Sequence, residues 1–66
     1  MKHVKYIDRY FDENLNSIKN ECVSKVYDVR PVRYPSGMVT KVKVWNNRLN
    51  SMVYIRADRE IIEVID

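Results

Sequence analysis

The chain has 66 residues, of which 45% are hydrophobic, with one Gly and two Pro, a composition that excludes a disordered tail and predicts one folded domain over residues 1–66. At this length only about 60% of the unfolded surface can be buried, so the core is expected to be a single thin layer. Net charge is +3, and the lone Cys22 excludes an internal disulfide framework or multi-cysteine zinc site and suits a reducing, cytoplasmic compartment.

Val4, Ile7, Phe11, Leu15, Ile18 and Cys22 recur at steps of 3, 4, 4, 3 and 4, the spacing that lines one face of an α-helix. Lys5, Asp8, Arg9, Asp12, Glu13, Asn16, Lys19 and Asn20 make the opposite face polar. One amphipathic helix over residues 3–22 is expected. From Val23 onward β-branched and aromatic residues come in short runs broken by turn signals, which predicts strands at about 24–34, 38–46, 51–57 and 60–65. Short connections make these an antiparallel meander. Residues 58–66 also read as a short Asp-capped helix, but three Ile and one Val favour strand. The expected fold class is therefore α+β, one N-terminal helix packed on a four-stranded antiparallel sheet in the order αββββ.

The loop Tyr34-Pro-Ser-Gly-Met38 suits a three-residue hairpin connection, with Pro at the second turn position and Gly at positive φ. Tyr34 would then face Met38, Arg33 face Val39, and Tyr27 face Trp45. Because cross-strand partners share a face, one side gathers Lys25, Tyr27, Arg33, Lys41, Lys43 and Trp45, joined by Tyr54 and Arg56 from the next strand. The same register sends Asp28 and Arg30 to the apolar side, a defect that a bulge near Val29 or Pro31 would relieve. A single helix covers one face of a sheet, so the cationic aromatic face would stay open.

Charge is segregated along the chain. Residues 25–56 hold seven bases against Asp28 alone, whereas residues 1–22 balance four bases with four acids and the last ten residues are acidic. Clustering of this kind points to a polyanion partner more strongly than total charge does. Catalysis finds no support: no Ser, Cys or His lies in a nucleophile motif, no ligand cluster suits a metal, and one Gly cannot build a phosphate loop. No enzymatic activity, cofactor or metal is expected. The opening residues lack the apolar run of a signal peptide, and no segment approaches the roughly 20 apolar residues of a membrane span.

Two binding roles follow from the open face. In the first, Trp45, Tyr27 and Tyr54 stack on the bases of single-stranded nucleic acid while Lys25, Arg33, Lys41, Lys43 and Arg56 neutralise phosphates and Arg48 reaches out from its loop. In the second, the same residues bind an acidic protein surface; by its size alone the chain resembles the small accessory regulators and inhibitors made by phages and plasmids. Homodimerisation through this face is a further use, since a domain this small gains by burying a second sheet surface.

Overall fold

The computed structural model describes all 66 residues. It is mostly β. The strands are β1 (His3–Phe11), β2 (Ser17–Lys25), β3 (Asp28–Tyr34), β4 (Gly37–Asn46), β5 (Ser51–Arg56) and β6 (Ile61–Ile65), with one helical turn, α1 (Ala57–Glu60), before the last. They form two antiparallel three-stranded sheets, ordered β2-β1-β6 and β3-β4-β5.

This corrects the αββββ expectation: there is no N-terminal amphipathic helix, and residues 3–22 fall in the hairpin β1–β2. The helical stripe is not a buried face, for Phe11 and Leu15 are 71% and 80% exposed. A period of two prevails instead, with Val4, Tyr6 and Asp8 buried in β1 and the residues between them turned outward. Val, Tyr, Ile and Phe favour a pleated surface, and residues 12–16 reverse the chain in a turn that joins the two strands. Asp12 Oδ1 accepts the backbone N–H groups of Asn14 and Asn16, both at 2.9 Å, an Asx-type turn, and Leu15 sits in the left-handed region at φ 61.

The expected meander holds for β3, β4 and β5. The fourth strand does not join it. After α1, β6 crosses to the first sheet and pairs with β1 from His3 to Tyr6, so residues 58–66 contain both a helical turn and a strand. The first sheet thus takes the covering role expected of the helix. Val4 and Tyr6 meet Val42, Val44 and Ile55 of the second sheet, with Cys22, Val26, Val53, Ala57 and Ile61 packed around them.

Only 8 of the 66 residues are buried, so polar contacts between the sheets carry weight that a larger core would supply by area. Beyond Asp28, β3 no longer flanks β4, and the backbone of Trp45 would lack partners on that side. Sheet one supplies them: Tyr6 Oη donates to the Trp45 carbonyl at 2.7 Å, and the Trp45 N–H donates to Ser24 Oγ at 2.8 Å. Burial pushes the Tyr6 hydroxyl up to about 12, with Cys22 adding to the rise, so it remains a donor at neutral pH. Tyr6→Phe removes that donor and strands a carbonyl. The expected cost is about 1 to 2 kcal/mol, seen as a melting point lower by roughly 5 to 15 °C at this chain length, with the far-UV spectrum unchanged.

Candidate functional site

The loop between β3 and β4 decides which residues share a face. It is two residues long, not three: Tyr34 pairs with Gly37 across Pro35 and Ser36, and Gly37 has φ +129. Slipping the register by one residue turns every β3 side chain to the other face of its partner strand. Asp28 and Arg30 therefore pair with Lys43 and Lys41 on the outer face, and the defect of a buried Asp28 and Arg30 vanishes without a bulge. Arg33, opposite Met38, goes to the other face from Lys41 and Lys43 and leaves the expected cluster. Tyr27 does not face Trp45; its N–H donates to the Lys43 carbonyl at 2.9 Å, at the corner where the chain passes between sheets.

On β4 and β5 the expected grouping is present. Lys41 pairs with Arg56, Lys43 with Tyr54 and Trp45 with Met52, and all six turn away from buried Val42, Val44 and Ile55. Trp45 is half-exposed, its ring oriented by Nε1–H donating to Asn47 Oδ1 at 2.8 Å. Tyr54 is more encumbered. Its hydroxyl donates to Asp28 Oδ2 at 2.8 Å, and that bond holds the phenol above its ordinary pKa. Arg30 and Lys43 lie over the ring at 5.3 and 5.9 Å from its centre, in cation–π range.

Several expected cations are already committed. Arg56 holds Asp58 through two bonds of 3.0 and 2.8 Å, which keep the Asp58 carboxyl below its usual range. Arg30 is paired with Asp28 at 3.6 Å. Lys25 stands over the Tyr27 ring at 5.6 Å, a pair set apart at the corner. Lys25, Lys41 and Lys43 make no ion pair within the molecule.

Arg48 is the largest departure from the expected site. It turns inward, grips Asp8 with two 2.9 Å bonds and lies 4.1 Å from the centre of the Tyr10 ring. Those bonds outweigh burial and hold the Asp8 carboxyl below its ordinary range. Asn46, also buried, fixes the same loop by accepting the Leu49 N–H at 2.8 Å. Arg48 is thus a structural clamp between β1 and the β4–β5 loop. Asp28 and Arg30 are the outer-face residues that sequence reasoning assigned elsewhere, and the correct two-residue loop would have found both.

The outer face of β3-β4-β5 can therefore offer an anion two unpaired lysines beside an indole, flanked by Arg30 and Arg56. It brings together no set of three His, Cys, Asp or Glu suited to a metal. Compared with known proteins, the chain matches no family model, no curated protein and no solved structure.

The clamp predicts unequal effects of its two halves. Arg48→Gln leaves a carboxylate that is only 7% exposed without its partner and should cost about 3 kcal/mol in denaturant unfolding. Asp8→Asn frees a guanidinium that can rehydrate, and should cost roughly 1 kcal/mol. Because the Asp8 pKa is lowered on folding, its contribution is present above the unfolded value near 3.9 and is lost as pH falls through the folded one. The gap between wild type and Arg48→Gln should accordingly narrow below about pH 4.

Proposed function

We propose that the protein binds single-stranded nucleic acid, without catalysing a reaction, through the outer face of β3-β4-β5. The observation that carries this reading is the triplet Lys41, Lys43 and Trp45 on one strand, all turned away from the covering sheet, with neither lysine neutralised internally. Alternate residues of a strand lie about 7 Å apart, close to the spacing of successive phosphates in an extended single strand. Trp45 stacks on a base, and Lys43 and Lys41 meet the phosphates that follow. Tyr54, held between Asp28 and two cations, packs beneath the strand as a platform. Lys25 and Tyr27 extend the surface at the corner, and Arg33 and Arg48 take no part.

An acidic protein surface is the competing ligand; its charged contacts would weaken with salt as well, so saturable binding of an oligonucleotide is what favours nucleic acid, and salt dependence separates it only from a hydrophobic protein contact. No helix is long and apolar enough to cross a membrane; the lone Cys22 and a nucleic-acid ligand suit the cytoplasm.

Anisotropy titration of a fluorescein-labelled short oligothymidylate tests the proposal. With about three phosphates neutralised, affinity should fall log-linearly and by roughly twentyfold between 50 and 200 mM salt. Trp45→Ala should weaken binding by about 1 to 3 kcal/mol while leaving a cooperative melt, because the clamp between sheets uses the backbone of residue 45 and not its indole. Affinity that ignores salt, or Trp45→Ala binding as wild type does, would refute the reading.

A further inference from the structure

The two sheets do not close around the core. β6 pairs with β1 only as far as Tyr6, and β5 has β4 as its sole neighbour. Between the unpaired part of β1 and the free edge of β5 runs a cleft of about 290 Å³, lined by Ile7 and Arg9 on one wall and by Val53, Tyr54, Ile55 and Arg56 on the other.

The backbone on both walls is directed into this cleft. Residues in an antiparallel ladder alternate between pairs that exchange both bonds and pairs that point their N–H and C=O away. The Val26 N–H donates to the Lys2 carbonyl, which sets the phase of the β1–β2 ladder, so Ile7 and Arg9 direct their backbone groups to the side where β6 has ended. In β5 the phase is set by Trp45, whose N–H and C=O turn to the first sheet. Its partner Met52, and with it Tyr54 and Arg56, therefore points N–H and C=O away from β4. One of these edge groups already has a stand-in partner. The Arg56 N–H donates to Glu60 Oε2 at 2.9 Å, and Glu60 Oε1 lies 3.9 Å from Arg9 on the opposite wall. A carboxylate thus plugs one end of the open edge, held by a strand amide and a cation.

We propose that this cleft binds an acidic peptide segment in extended conformation, which adds as a strand to the free edge of β5 with Glu60 occupying the subsite of a peptide carboxylate. Edge amides and carbonyls call for backbone partners, and Val53, Ile55, Ile7 and Leu49 receive alternate apolar side chains. Charge complementarity selects the acidic class: Lys41 lines the cleft without an internal partner, Arg9 is engaged there only by the Glu60 plug at 3.9 Å, Arg56 is bound to Asp58, and the buried Asp8 is neutralised by Arg48. This site borders the nucleic-acid face, sharing Lys41 and Tyr54 with it, but its edge amides and the Glu60 plug lie apart from Lys43 and Trp45, so it stands without that reading.

The probe is a fluorescein-labelled, end-blocked Val-Glu-Val-Glu-Val peptide, followed by anisotropy and by amide chemical shifts. Binding should be saturable, weaker by roughly tenfold for the Val-Lys-Val-Lys-Val control, and lost when alternate peptide nitrogens are methylated. Shifts should concentrate at Ile7, Arg9, Met52 and Tyr54. Removing the plug by Glu60→Ala should tighten binding about threefold or more, and Glu60→Gln, which keeps the side chain's shape, gives the same direction if the alanine variant fails to fold. The proposal is overturned by no saturable binding to wild type or either variant at millimolar peptide, by equal binding of the lysine control or the methylated peptide, or by shifts confined to Lys43 and Trp45.

Discussion

Everything about the accessible surface depends on how the backbone of Trp45 is held. Its N–H and C=O, left over where β3 ends, are captured by Ser24 and Tyr6 of the other sheet. A strand whose polar groups are fixed at one residue has its side-chain alternation fixed along its length. Val44 and Asn46 are forced inward to the core and to the Asp8–Arg48 clamp, and the indole is forced out. Two hydrogen bonds of modest net worth individually therefore lock which half of β4 meets the core and which half meets solvent. They act with the burial of Val42, Val44 and Ile55, since the opposite facing would put Lys41 and Lys43 into the core.

The second half of the chain was legible because its signals are local. Val42, Val44, Val53 and Ile55 alternate with polar or aromatic residues, and turn residues separate the runs, so strands at 38–46 and 51–57 could be read directly and match β4 and β5 closely. The first half was not legible, and Asp8 is the reason. Val4, Tyr6 and Tyr10 would announce a strand, but an acid in the middle of the inward series reads as a break. Arg48, 40 residues away, neutralises it, and no local pattern reports that. A helical spacing of Val4, Ile7, Phe11 and Leu15 then fits by coincidence. The β3 register failed for a smaller cause, because Pro35-Ser36-Gly37 accommodates either loop length and one residue of slip exchanges the faces. The crossing of β6 to the first sheet is a long-range pairing that its own five residues do not encode.

The candidate face shows how internal pairing edits a charge map. Seven bases between residues 25 and 56 suggest a broad cationic surface, yet Arg48 is turned inward, Arg33 lies on the other face, and Arg30 and Arg56 face carboxylates. What remains for a ligand is narrower: Lys41, Lys43 and Trp45 in a line, with Lys25 at the corner. Exposed ion pairs such as Arg30–Asp28 contribute little to stability, but they lower the local field and so restrict where a polyanion gains most. The same logic makes the Glu60 plug notable, since it places the chain's own acid where its two free edges approach.

Trp45 is the only tryptophan, so its fluorescence reports directly on the geometry at the centre of this account. Collisional quenching by iodide and by caesium at low ionic strength compares the approach of an anion and a cation to the same indole. An outward indole beside unpaired lysines should be quenched several-fold more efficiently by iodide, with the difference shrinking as the Debye length falls from about 30 Å toward 8 Å with added salt. An indole shielded from both ions, or one quenched equally by each, would contradict it.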